Sequence, residues 1–189
     1  NKPKKSKPEA ACLAFIIHTV SRPSEVRLMM WSDVDLKTKV WTIKPSGVKG
    51  DDKLKSGKEW LIPLTTPAIK ILKAQPSYKR QSGRIFSKVD GDEIPDSYFG
   101  SNINSELGFE GDTYGFRTTF KTWCQEHGIV DEVSELAMKH TDRDSTRAAY
   151  ARSQLFDARK TLMFDYSKYA TTGKSISSSN VIPIRKTAS

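Results

Sequence analysis

The stretch "PEAACLAFIIHTV", residues 8–20, is apolar on nearly every side of a helical projection and too short to cross a membrane. A helix without a polar face belongs inside a fold, so the rest of the chain must supply the elements that wrap it. With 189 residues the chain is long enough for one domain with a real core, and too short for two independent ones. The helix is expected to end near Ser21. Directly after it, "RPSEVRLMMW" begins a second helix, with Pro23 at the first helical position and Glu25 placed to accept from the backbone N–H ahead of it.

Two short segments change the period from helical to alternating. In "KVWTIKP" and "KEWLIPL", Trp41 and Ile43 fall on one side and Trp60 and Ile62 on another, so each reads as a strand. The Gly-, Lys- and Asp-rich "SGVKGDDKLKSG" joins them into a hairpin with a long basic tip. From "TPAIKILKAQ" onward the pattern is mainly helical, with turns at "PSYKRQSG" and "VDGDEIPD". In "DTYGFRTTFKTWCQEHG", Phe116, Phe120, Trp123, Cys124 and His127 form a core stripe that ends at Gly128, while Tyr114, Arg117 and Lys121 fall on an adjacent polar stripe. "VSELAMKH" and "DSTRAAYARSQLFDARKTLMFDYSKYA" continue as helices, the last with Leu155, Leu162, Tyr166 and Tyr169 along one stripe. The expected fold is mainly α with a small antiparallel β-hairpin or sheet. Its expected bounds are a basic linker at 1–7, which reads as following a missing N-terminal partner domain, a folded domain at 8–170 and a flexible tail at 171–189.

Charge narrows the partners. Lys and Arg exceed Asp and Glu by 31 to 22, and residues 1–60 carry 13 basic against seven acidic side chains, so +6 of the net +9 lies in the first third. A basic face of that kind suits a polyanion. Cys12 and Cys124 sit in helical patterns without a CxxC and read as reduced core thiols of a cytoplasmic protein. His18, His127 and His140 lack ligand spacing and no paired-acid pattern appears, so no metal is expected. Gly50 and Gly57 are too far apart for a phosphate-binding GxxxxGK[ST] loop, and Lys58 is followed by Glu59.

Arg22 is more informative, because a cation at a helix N-terminus opposes the macrodipole unless an anion joins it there. That anion is either Glu25, in a local pair, or a bound phosphate. Arg117 repeats the arrangement near the start of its own helix, where N–H groups and a guanidinium converge on an anion site.

These residues, in this order, resemble the tyrosine recombinase family, in particular integrases of temperate phages, satellite prophages and genomic islands. "HTVSRPSEVRLMMWSDVD" is similar to the family's first motif and places its arginine on Arg22, with Glu25 as structural support. "KLKSGKEWLIPLT" is similar to its hairpin and places the loop lysine on Lys55. "YGFRTTFKTW" resembles the His-x-x-Arg box, with the second arginine on Arg117 and Tyr114 in the histidine position. "STRAAYARS" resembles the segment of the nucleophile, on Tyr150, and His140 lies ten residues before it. The family's later histidine usually follows a Leu-Gly or Leu-Ala pair directly, whereas here Leu136-Ala137 is followed by Met138-Lys139-His140. A phenol at position 114 can donate to a phosphate oxygen but is a poor base near neutral pH.

The resemblance implies a fold shared with type IB topoisomerases, and cleavage and rejoining of DNA strands through a 3′-phosphotyrosyl intermediate, with neither ATP nor metal and no other cofactor. It implies that Arg22 and Arg117 bind the phosphate, Lys55 protonates the leaving oxygen, and His140 orients the phosphate or assists Tyr150. Implied partners are double-stranded DNA attachment sites, a homo-tetramer on DNA and accessory DNA-bending or excision factors. A C-terminal segment such as "NVIPIRK" would dock on a neighbouring protomer. Two other readings use the same residues: a topoisomerase that relaxes DNA, and a non-catalytic DNA-binding domain, motivated by Tyr114.

Overall fold

The computed structural model describes residues 7–44, 59–88, 91–99, 113–140 and 155–174. The expected linker up to residue 6, the hairpin tip with Lys55, the segment bearing Tyr150 and the tail from residue 175 lie outside these. Among the described residues, helices α1 (Pro8–Thr19) and α2 (Pro23–Arg27) come first. Strands β1 (Val34–Asp35), β2 (Val40–Ile43) and β3 (Trp60–Pro63) follow. The remaining α-helices are α3 (Thr66–Lys73), α4 (Gly115–Glu126), α5 (Asp131–Ala137) and α6 (Phe156–Thr172). The mainly helical expectation with a small antiparallel sheet holds.

No residue of α1 is exposed, and Cys12, Phe15 and Ile16 are completely buried, as its all-round apolar sequence requires. The sheet has the order β1-β2-β3, all antiparallel, and the short β1 adds to the expected hairpin a strand that alternation did not reveal. Register also corrects the placement of the tryptophans. Trp41 faces Ile62 and Ile43 faces Trp60 across β2 and β3, so all four share one face. That face packs into the first core cluster with α1 and α3, where Phe15 meets the Trp41 ring edge-on at 5.9 Å.

A second cluster joins α4, α5 and α6. Phe120 and Trp123 meet Tyr166 at centroid distances of 4.8 and 5.3 Å, and His127 stacks on Trp123 at 4.6 Å, so the expected α4 stripe is a core stripe. The apolar stripe of α6 is covered by this same core. Thr171 and Thr172, assigned by sequence to the start of the tail, form the last residues of α6, which closes on Gly173 in the left-handed conformation. Both cysteines are free and buried, which pushes their thiols up, Cys124 to about 12. No described helix is long and apolar enough to cross a membrane.

Three polar groups, Thr65 and Ser167 fully buried and His18 half-buried, tie α1, α3 and α6 together. Thr65 caps α3, its Oγ1 accepting from Ala68 N at 3.4 Å and from Ser167 Oγ at 3.0 Å. Ser167 spends its proton on Thr65 and therefore accepts from His18 Nδ1 at 2.8 Å, consistent with a histidine that burial keeps neutral. Thr65→Ala removes the cap and strands the Ser167 proton in the core. It is expected to cost about 1–2 kcal/mol in urea denaturation, with Thr65→Ser recovering most of it.

Candidate active site

Of the described candidate residues, Arg22, Glu25, Arg117 and His140 converge where four helix ends meet. These are the C-terminus of α1, the N-terminus of α2, the first turn of α4 and the C-terminus of α5. Arg117 is the hub, and its position corrects the sequence reading. The guanidinium does not lie on a solvent-facing polar stripe. The residue is only 7% exposed, on the same side of α4 as Phe120 and Cys124. Its Nη1 donates to Val20 O and its Nη2 to Met138 O, both at 2.6 Å, and Nη2 also donates to His140 Nε2 at 3.0 Å. Among the described residues, no carboxylate forms an ion pair with it. Burial, and then the charge of Arg22, draw its pKa down to about 10, so it stays protonated at neutral pH.

Both carbonyls that grip Arg117 belong to helix ends closed by a non-glycine residue in the left-handed region. Val20, the C-cap of α1, has φ 52°, and Lys139 has φ 59°. A β-branched residue rarely adopts that conformation, and such strain gathers at functional sites. At the end of α5, Lys139 N donates to Leu136 O and His140 N to Glu135 O, a Schellman closure with lysine in the glycine position. This geometry explains the wording "Met-Lys-His". Directly before His140, Lys139 thus stands in a backbone conformation that favours glycine.

His140 is fixed by its hydrogen bonds. A guanidinium only donates, so Nε2 accepts and the ring proton sits on Nδ1, which donates to Glu135 Oε2 at 2.7 Å. Glu135 is held in turn by Lys121 Nζ, which also reaches Asp131 at 2.6 Å and Ser134 at 3.0 Å. Burial alone would raise the Glu135 carboxyl, but Lys121 and His140 outweigh it and hold it low. Lys121, expected on a polar stripe, thus ties α4 to α5.

The cap predicted for α2 is present. Glu25 Oε2 accepts from Arg22 N at 2.8 Å, while Arg22 Nη1 lies 3.5 Å from Oε1. The local Arg22–Glu25 pair is therefore real but long. The stronger partner of Glu25 is one that sequence reasoning missed, Lys139, whose Nζ donates to Oε2 from a side chain 1% exposed, against 0% for Glu25. Burial alone would raise the Glu25 carboxyl; Lys139 and the Arg22 N–H hold it below its ordinary value. Burial pulls Lys139 down to about 8 despite Glu25. Glu135 was also missed. Their available signals were a lysine standing where the resemblance has glycine or alanine, and a glutamate five residues before His140.

Arg22, Glu25, Arg117 and His140 are thus brought together. Tyr114 is not drawn in. It is 63% exposed one turn before Arg117, and its backbone O accepts from Arg117 N at 3.0 Å and Thr118 N at 3.3 Å. Lys55 and Tyr150 lie outside the described residues. Two guanidiniums, one buried and one a third exposed, with an oriented imidazole beside them, make an anion site suited to a phosphodiester.

Comparison with known proteins points the same way. The profile of the phage integrase family matches residues 1–155. The prophage integrase IntA of Escherichia coli strain K12 is 25% identical over 148 residues, covering 77% of this chain and 34% of its own. The protein IntB of the same strain is 33% identical over 156 residues, 75% of this chain and 38% of its own. The integrase of Shigella phage Sf6 is 28% identical over 153 residues, 77% of this chain and 37% of its own. The chain therefore spans little more than a third of the length of these relatives. No solved structure gives a significant match.

Proposed function

Since the chain belongs to the phage integrase family, we propose that it is the catalytic region of a site-specific tyrosine recombinase, which cuts and rejoins DNA at attachment sites to integrate or excise a mobile element. The observation that carries this reading is Arg117. A buried guanidinium beside a second arginine, held by neutral carbonyls and by no described carboxylate, gains strongly from an anion that enters between them.

In the proposed reaction Tyr150 Oη attacks the phosphorus in line. The Oη–P bond forms, the P–O5′ bond breaks, and the 5′ oxygen leaves with a proton from Lys55. The phenol proton passes to a base, for which His140, backed by Glu135, is the described candidate. Attack of a 5′-hydroxyl on the phosphotyrosine reverses the step on the same or a partner duplex, so bond energy is conserved and neither ATP nor a metal takes part. Arg22 and Arg117 offset the charge on the non-bridging oxygens. DNA attachment sites, a tetramer on DNA, accessory factors and a cytoplasmic setting complete the proposal.

The test is to incubate full-length protein with a nicked suicide duplex bearing its attachment site. A covalent adduct is expected on a denaturing gel, mapping to the peptide with Tyr150. No adduct, or one mapped elsewhere, would sink the reading.

A further inference from the structure

Lys139 has no place in that mechanism, yet its ammonium is buried at the centre of the site, on a backbone conformation that disfavours any residue but glycine. The charged groups that face it among the described residues are Glu25, Arg22 and Arg117. Glu25 is the pivot, since its side chain is completely buried and needs a cation. Two cations compete for it. Arg22 contributes its backbone N–H at 2.8 Å and approaches with Nη1 only to 3.5 Å, its side chain 33% exposed, whereas Lys139 bonds the carboxylate directly.

We propose that Lys139 is a positioning residue, one that neutralises Glu25 so that the Arg22 guanidinium stays available for the scissile phosphate. Without an ammonium there, the buried carboxylate would take the nearest guanidinium into a closed pair, and the anion site would lose one of its two arginines. Catalytic relevance rests on the recombinase reading; the geometry of the pair does not. The arrangement also carries a pH dependence with a definite sign. Burial has lowered the Lys139 pKa to about 8, so its proton is lost as pH rises through that value. Glu25 then turns to Arg22, and anion binding weakens on the alkaline side.

Sulfate is a suitable probe because its charge is constant from pH 6 to 10, and the Arg22 Nε resonance reports its binding at pH 6.5 whether or not the protein cuts DNA. Lys139→Met is expected to weaken sulfate binding about tenfold, and Lys139→Met combined with Glu25→Gln to restore it within about threefold. A crystal structure of Lys139→Met should show Arg22 closed onto Glu25 in a two-point pair. Unchanged sulfate binding in Lys139→Met, no recovery in the double variant, or Arg22 left in its present position would overturn the proposal. Should Lys139→Met fail to fold, wild type decides. The Lys139 13Cε signal should titrate near pH 8, with sulfate affinity falling about tenfold across the midpoint observed; an affinity that stays flat as Lys139 loses its proton refutes the proposal. If these results hold and the suicide duplex still gives no adduct, the recombinase reading fails and the role of Lys139 stands.

Discussion

Tyr150→Phe is expected to abolish the covalent DNA adduct, by a factor on the order of 10⁴ or more in single-turnover trapping. The substitution removes one oxygen and keeps the ring, so it takes away the proposed attacking atom with little change in side-chain volume. No neighbouring hydroxyl inherits the role easily, because in-line attack demands one geometry at the phosphorus and a slightly misplaced oxygen loses most of the rate. DNA affinity should stay within about threefold of wild type, since phosphate contacts made by arginines dominate it. An adduct that persists in Tyr150→Phe would refute the assignment of the nucleophile.

Arg117→Lys should lower the rate of adduct formation at saturating DNA by about 10²–10³-fold, although the charge is nominally kept. The reason is the fork. One guanidinium reaches Val20 O, Met138 O and His140 Nε2 from two separate nitrogens, and the plane that spans them leaves further N–H groups for a phosphate. A lysine has a single nitrogen and cannot bridge the ends of α1 and α5 while also meeting the ligand. Its ammonium would in addition enter a buried place, where desolvation lowers its pKa, whereas Arg117 at about 10 keeps its proton throughout the physiological range. His140 would lose the donor that fixes its tautomer. A variant that retains the wild-type rate within about threefold would remove Arg117 from the phosphate clamp; a loss confined to DNA affinity would assign it to binding alone.

Features carried by near neighbours in the chain were legible in the sequence. The all-round apolar α1, the alternation of β2 and β3, the α4 core stripe and the Glu25 cap on Arg22 depend on contacts within a turn or a pleat, where side-chain period and capping chemistry decide the outcome. Membership of the phage integrase family was legible as well, from the ordered motifs around Arg22, Arg117 and His140. What periodicity could not supply was direction across long separations. Whether Arg117 turned to solvent or inward depended on Val20 O, 97 residues away, and Met138 O, 21 away, which exist as acceptors only after α1 and α5 end in left-handed turns beside it. The shared face of Trp41, Ile43, Trp60 and Ile62 needed a register, which alternation within each strand does not set. The partner of Glu25 needed Lys139, 114 residues on, delivered by a Schellman turn in a position where sequence rules expect glycine. The sequence by itself determined where most of the described helices and strands lie, because propensity and period are local. The tertiary structure alone decided which charges are buried together, because desolvation and pairing arise only when distant helix ends close on one another.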